Sequence, residues 1–523
     1  MKNTLLSSGL KLSLMTLVSR ILGLVREMTK AHFLGTSRLA DAFGVAFMIP
    51  NLLRRLFAEN SISVAFIPTF KAYLEDKNID KQTLKDFLNA TFTLISFITA
   101  ITVTIGILIT PYIVPFFTDD TSAELLREMT FLTRIMFPYL MVISIAAFFQ
   151  GILNGVKIFT VSGFTPILFN LCVIGATYLL TPFTDNAARS MSFGVTFGGL
   201  LQACFQIPFV FKAGFKPRFT SLKKAFANPG TKKVIALIAP TIIGMALYQL
   251  NDVVSTILAG RSGEGIVSSI QYSIRLQELI LGIFVVTVGT VILPDLSSFA
   301  KKNLWDDFNN ILVQATHIIA LVTIPITFFA LLFGESIIRL VYQSNNFTEE
   351  SVRLTFHAFV FHIAGLYFIG LNRIIAPAFY AQQNTKLPTL AGIIGFVSNI
   401  VLALALAPSM LGGGLALALS LASAINTTML CIFLRKNENI HVSTFLKSNI
   451  FYALKLTIFS VIACVPLYFF KDEIFAPFEK YHRFIAQGVP LVISALIFAI
   501  IGIGLLIASK DNIVFDALKK IKR

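Results

Sequence analysis

Arginine is the side chain best shaped to hold a phosphate, because its planar guanidinium donates two parallel hydrogen bonds. In this chain several arginines stand inside long apolar stretches. A charge at the centre of a bilayer costs about 2.5–3.5 kcal/mol on insertion scales, so it normally faces a partner or a wet cavity. At 100° per residue, Ser13, Thr16, Ser19, Arg20, Gly23, Arg26, Glu27 and Lys30 fall within an arc of about 140°. Leu14, Leu17, Val18, Leu22 and Val25 take the opposite face. Asp41, Gly44, Asn51, Arg54, Arg55, Ala58 and Glu59 share a similar arc in the next stretch. A third polar stripe holds Ser268, Gln271, Arg275, Glu278 and Gly282, and a fourth holds His362, Gly365 and Arg373. Arg55–Glu59 at i,i+4 and Arg275–Glu278 at i,i+3 could simply be internal salt bridges. That reading does not cover the whole set, because Arg20, Arg26, Lys30, Arg54, Arg275 and Arg373 outnumber Glu27, Glu59 and Glu278. The surplus predicts a hydrated cavity that binds an anion.

Other chemistry is thin. The sequence has no G-x-x-x-x-G-K-[ST] and no H-E-x-x-H, and its six histidines lack metal-ligand spacing. Asp119-Asp120 and Asp306-Asp307 are adjacent pairs in predicted loops, where solvated charge outweighs a magnesium–diphosphate site. Cys172, Cys204, Cys431 and Cys464 each sit in an apolar run, which predicts buried, inert thiols with no disulfide framework and no zinc site. No cofactor is expected. Gly194-x-x-x-Gly198 predicts close packing of two helices and nothing about function.

The elements that position these residues are membrane helices. Of 523 residues, 55% are hydrophobic and 13% charged, with 51 phenylalanines, and the mean hydropathy is +0.78. So few charges cannot cover a water-soluble surface. Soluble enzymes, disordered scaffolds and secreted disulfide domains are excluded, and long runs without strict alternation exclude an outer-membrane barrel. The N-terminal apolar stretch, interrupted by Ser19, Arg20 and Arg26, is not a cleavable signal peptide. Segments long enough to span recur at 8–33, 41–70, 87–110, 124–153, 158–181, 190–211, 234–259, 267–296, 308–333, 351–379, 387–407, 411–434, 449–470 and 485–509. This predicts an all-α polytopic membrane protein with about fourteen transmembrane helices. Lys and Arg concentrate at both ends of the chain and in loops after even-numbered segments, which predicts cytoplasmic termini. The net charge of +16 is then a topology signal and does not call for nucleic acid. Loop 212–233 is the most basic and reads as a solvated cytoplasmic connection in reach of anionic lipid.

A faint repeat accompanies these segments. Pro68 and Pro294 close similar stretches 226 residues apart, and Asn170 and Asn399 follow similar turns at a shift of 229. The echoes suggest two parallel six-helix lobes, 1–218 and 219–440, with two added helices in 441–523.

Three blocks carry a family resemblance: Ser19-Arg20-Ile21-Leu22-Gly23-Leu24-Val25-Arg26-Glu27, Asp41-Ala42-Phe43, and Pro50-Asn51-Leu52-Leu53-Arg54-Arg55-Leu56-Phe57-Ala58-Glu59. With Thr165-Pro166, Asn170, Arg275-Leu276-x-x-Glu278, Gly289-Thr290-x-x-Leu293-Pro294 and Ala376-Pro377-x-Phe379-Tyr380, the chain resembles the MurJ/MviN family. That family comprises bacterial lipid II flippases of the multidrug/oligosaccharidyl-lipid/polysaccharide exporter superfamily. The resemblance implies two six-helix lobes around a central cationic cavity, with helices 13 and 14 adding a groove for a polyprenyl tail. It implies that Arg20, Arg26, Arg54, Arg55, Arg275 and Arg373 contact the substrate diphosphate, with Glu27, Asp41, Asn51, Glu59, Asn170 and Glu278 in support. Ile274 departs from the family, which often has an acid before the helix-8 arginine, and Arg373 replaces a lysine of some members.

The resemblance further implies a transporter and not an enzyme. Its substrate would be lipid II, moved from the inner to the outer leaflet of the bacterial inner membrane by alternating access, with cell-wall synthesis proteins as possible partners and a coupling ion left open. Two rivals stand beside this reading. One is a flippase for another polyprenyl-diphosphate-linked glycan. The other is a membrane enzyme acting on a lipid diphosphate, which would need metal-binding carboxylates where the stripes carry mostly arginine.

Overall fold

The computed structural model describes residues 2–56, 65–120, 122–511 and 513–515; for 2–13, 239–248 and 283–291 it describes the backbone alone. Among the described residues the regular structure is helical, with no strand. Apolar runs in lipid have no other option, since a helix satisfies every backbone group within its own segment.

The chain divides into two compact units, residues 1–268 and 269–523. The first contains α1 (Lys2–Leu34), α2 (Arg38–Arg54), α3 (Ile67–Glu75), α4 (Lys81–Ile113), α5 (Ala123–Met136), α6 (Pro138–Gly155), α7 (Phe159–Leu180), α8 (Ala187–Lys212), α9 (Leu222–Ala227) and α10 (Pro229–Arg261). Helix α11 (Ile266–Lys301) starts there and runs into the second unit. That unit adds α12 (Trp305–Tyr342), α13 (Glu349–Ala364), α14 (Leu366–Ala381), α15 (Lys386–Leu434), α16 (Val442–Phe469), α17 (Lys471–Phe475) and α18 (Arg483–Ala508).

Eight described helices are long and apolar enough to cross a bilayer, and α13–α14, bent by 41°, adds a ninth. Helix α15 hides two predicted segments, divided at Leu411, where φ is 48° and ψ −128°. The remaining predicted segments fall on α1, on α2 and α3 with residues between them outside the description, on α10 and on α11. The architecture is that of a multi-pass membrane protein, compatible with fourteen crossings.

In the first unit α8 packs on α7 and α6, α1 on α7, and α2 on α5. Gly194 and Gly198 make the α7–α8 approach possible: a Cβ at Gly194 would stand 3.0 Å from the Val173 Cα, and one at Gly198 2.9 Å from the Phe169 ring. An aromatic cluster of Phe66, Phe70, Phe87, Phe148 and Phe149 fills the interior between α3, α4 and α6. In the second unit α16 and α18 pack on α12 through Ala320, Ile324, Tyr452, Leu456 and Leu506 near one end and Phe333, Leu467 and Leu491 near the other. Their remaining surface is apolar and open, with Ile458, Val461, Ile462, Leu496 and Ile500 exposed.

Two local expectations need correction. Asp306 and Asp307 lie in the first turn of α12 and not in a loop, where their charge complements the helix dipole. Cys204 is exposed, and Cys172 and Cys464 are only partly covered, so of the four free cysteines Cys431 alone meets the buried expectation. The helix face carrying Cys204 looks outward, where lipid and not protein supplies the apolar surroundings.

The bend between α13 and α14 is built by donors from three other helices. A helix break leaves carbonyls without their usual partners. Here Phe361 O accepts from Ser420 Oγ at 2.6 Å, Ile363 O from Thr327 Oγ1 at 3.2 Å, and His362 O from the Gln277 amide. The buried His362 ring meets Ser273 Oγ at 2.6 Å. A Cβ on Gly365 would run into Ser420, so the bend also needs glycine at this contact.

Candidate functional site

The α1 stripe holds in three dimensions from Ser19 to Lys30, while Thr16 is exposed and the Ser13 side chain lies outside the description. Leu14, Leu17, Val18, Ile21 and Val25 are exposed, whereas Ser19, Arg20, Arg26 and Glu27 are half-buried and Gly23, Thr29 and Lys30 are buried. Arg26 is the best-held member. Its Nη2 meets Glu27 Oε1 at 2.7 Å, its Nη1 donates to Asn170 Oδ1 at 3.2 Å, and its guanidinium stands 5.7 Å from the Phe169 ring centre. Asn170, on α7, donates through Nδ2 to Ser19 O at 3.2 Å. One buried amide thus fixes both the α1 backbone and the arginine two turns along it. A guanidinium has five N–H groups. Two acceptors among the described residues leave Arg26 able to take a further anion.

Arg20, half-buried on the same stripe, has no carboxylate or hydrogen-bond acceptor among the described residues. Lys30 has its ammonium 5.8 Å from the Phe43 ring centre, a cation–π distance. On α2, Arg54 Nε donates to Asn51 Oδ1 at 2.9 Å. Arg55 meets Asp252 Oδ2 at 3.0 Å and Gln249 Oε1 at 3.4 Å, both on α10. Glu59, its expected i,i+4 partner, lies outside the described residues. Sequence reasoning missed Asp252 and Gln249; the available signal was Asp252 as the one acidic residue in the apolar segment 234–259.

Asp41 shares the α2 stripe but serves the backbone. Its Oδ2 accepts from Gly265 N at 2.6 Å and its Oδ1 from Ser268 N at 2.8 Å, capping the start of α11. It also lines a cavity of about 160 Å³ with Arg38, Asp119, Asp120, Arg261 and Glu264. Arg38 pairs with Asp120 at 3.0 Å and Glu264 at 2.9 Å, and Arg261 with Asp119 at 3.6 Å. The Glu264 bond raises the pKa of Arg38, and the Ser122 amide lowers that of Asp120. Two arginines against four carboxylates leave no excess cation here, so this cavity is a closed ionic cluster and not the expected anion site.

In the second unit, Arg275 Nη1 meets Glu278 Oε2 at 3.1 Å. Ile274 therefore does not strip Arg275 of a local partner, because the acid one turn later supplies it. Arg373, on α14, is exposed and has no hydrogen-bond or ion-pair partner among the described residues. Its neighbour Asn372 is pinned, donating to Ser423 O at 3.0 Å and accepting from Thr427 Oγ1 at 2.8 Å. Asn399, the repeat counterpart of Asn170, is buried in α15.

The arrangement can hold an anion on guanidinium groups that ion pairing leaves unsaturated. Among the described residues no proton-transfer or nucleophilic constellation accompanies them. Residues 30–480 match the family model described as lipid II flippase MurJ. A probable lipid II flippase MurJ from Treponema pallidum (strain Nichols) is 46% identical over all of this chain and 99% of its own length. A lipid II flippase MurJ from Burkholderia cenocepacia is 30% identical over 80% of this chain and 82% of its own. Among solved structures, lipid II flippase MurJ in an inward closed conformation is similar at a TM-score of 0.78 and 27% identity, covering 96% of this chain and 99% of that one. An inward-facing multidrug resistance MATE family transporter of the MOP superfamily has the same fold at a TM-score of 0.67 and 10% identity, over 82% of this chain and 96% of that one.

Proposed function

We propose that this chain, which belongs to the lipid II flippase MurJ family, moves lipid II from the inner to the outer leaflet of the bacterial inner membrane by alternating access. Lipid II joins a diphosphate and a disaccharide-pentapeptide to a long polyprenyl tail. The head group cannot cross hydrocarbon unaided, since burying unpaired polar groups costs several kcal/mol each. A flippase needs only to shelter that head group and release it, so no covalent chemistry and no cofactor are required. Arg20, Arg26, Arg54, Arg55, Arg275 and Arg373 take the diphosphate in this reading, with Glu27, Asn51, Asn170 and Glu278 setting their directions. The lobes are 1–218 and 219–440, both termini are cytoplasmic, and α16 and α18 offer their open apolar face to the tail. Outer-leaflet cell-wall synthases would consume the delivered substrate.

The observation that carries the reading is the Arg20–Arg26 stripe of α1, half-buried and unsaturated, in a chain of this family. The test is depletion of the protein in its own cells, followed by a measurement of how much lipid II an externally added probe can reach. Loss of accessible lipid II, restored by the wild-type chain and not by a variant with Arg20 and Arg26 both changed to Ala, is the expected result. Unchanged lipid II accessibility alongside loss of another polyprenyl-diphosphate glycan would overturn it.

A further inference from the structure

Residues 212–233 join α8 to α10 with seven Lys or Arg and no carboxylate. From sequence this is a solvated connection in reach of anionic lipid, and the structure straps it to α4. Asn89 Oδ1 accepts from Arg218 N at 2.7 Å, and Thr93 Oγ1 accepts from Thr220 N at 3.0 Å. Asn89 and Thr93 are one turn apart, so both face the strap. Ala225 of α9 is fully buried against Ala90 and Leu94. Beyond α9, Thr231 Oγ1 donates to Ala225 O at 2.7 Å, and Asn228 caps α10.

These contacts fix the depth of the strap. The apolar segment of α4 begins near residue 87, and contacts with residues 89–94 place the strap within about 10 Å of that point along the helix axis. The start of an apolar span is where a bilayer passes from headgroups to acyl chains. What the strap displays suits the boundary and not bulk water. Phe219 is 68% exposed, Phe226 46% and Leu222 38%, interleaved with exposed Arg218, Lys223 and Lys224. Aromatic and aliphatic side chains at this level enter the acyl region, while lysines extend toward headgroup phosphates.

We infer that the α8–α10 strap is a membrane-surface anchor for anionic phospholipid, with Phe219, Leu222 and Phe226 in the acyl boundary and Arg218, Lys223 and Lys224 on headgroup phosphates. The anchor rests on the cytoplasmic placement of this face, and its test requires no transport of lipid II. The full chain, purified in neutral detergent, is titrated with phosphatidylglycerol or phosphatidylcholine and bound lipid is counted by native mass spectrometry. Phosphatidylglycerol binds in preference, and R218Q/K223Q/K224Q lowers that affinity about 100-fold, at roughly a fivefold loss per cation. Equal binding of both lipids, an unchanged affinity in the triple variant, or full competition by inorganic phosphate would overturn the anchor. A photoreactive phosphatidylglycerol on the wild-type chain keeps the test open if the variant does not fold. Crosslinks within 211–233 support the inference, and crosslinks confined to other segments refute it.

Discussion

Asn170 offers a way to separate what holds Arg26 in place from what Arg26 is for. The amide is 6% exposed, accepts from Arg26 Nη1 and donates to Ser19 O, each at 3.2 Å. N170A removes both bonds. A net hydrogen bond is worth about 1 kcal/mol, and one to a charged group about 1.5–3, so the fold should lose about 2.5–4 kcal/mol. N170D keeps the acceptor, loses the donor and adds a second carboxylate beside a guanidinium already 2.7 Å from Glu27. The fold should then lose less, about 1 kcal/mol. An anion captured by the remaining N–H groups would feel the new charge at roughly 6 Å, which costs about 3 kcal/mol at an effective dielectric near 20, or about 100-fold in affinity.

The two readouts should therefore rank the variants in opposite orders. Thermal unfolding of the purified chain should place N170A below N170D. Lipid II binding, or rescue of a depleted strain, should place N170D below N170A. If N170D binds and rescues as well as N170A or better, Arg26 is not a phosphate ligand and the anion site must be sought elsewhere.

Other outcomes follow from the same geometry. R26K should impair rescue by at least tenfold because a lysine cannot donate as a fork, while R218K, which keeps the charge the strap needs, should rescue as wild type. Truncation after residue 445 should leave a chain that inserts but does not flip lipid II, since lipid covers the α12 face that α16 and α18 vacate; protease accessibility and the flipping assay check the two halves. G365A should lower thermal stability by about 1–3 kcal/mol through collision with Ser420, and G365A/S420G should recover part of it. Collapsing the membrane potential at matched ion gradients should slow outward flipping, because an anionic head group gains about 2.3 kcal/mol per charge per 100 mV if it crosses the whole field; an unchanged rate would place the driving force elsewhere.

Periodicity made the helices legible, along with the polar face of α1. Exposed Leu14, Leu17, Val18 and Val25 stand where a 100° step from Arg20 puts them, because a helix converts spacing into direction without knowledge of its neighbours. The partners of the charges were not legible in this way. Arg55 read locally belongs to Glu59, which lies outside the described residues, and nothing local announced that Asp252, 197 residues along the chain, also meets it. Likewise, His362 and Gly365 read as members of a polar stripe, while the structure spends them on a bend that needs Ser420, Gln277 and Thr327 from three other helices. No single helix records such donors as a pattern, since each contributes one residue.

The same comparison suggests how to sort polar residues within spans. Asp41 is spent on the amides that open α11, Ser420 and Gln277 on the carbonyls of a broken helix, and Asn170 on the backbone of α1. Each meets a backbone debt that hydrocarbon would otherwise leave open. A guanidinium carries no acceptor and can meet no backbone N–H, so an arginine within a span answers only to carbonyl oxygens, carboxylates, aromatic faces, water or a ligand. Arg26, Arg55 and Arg275 each have a carboxylate. Arg20 and Arg373 have none among the described residues. Among the described residues their charge has no structural partner, and under the proposed function this makes them the positions at which a diphosphate would gain most.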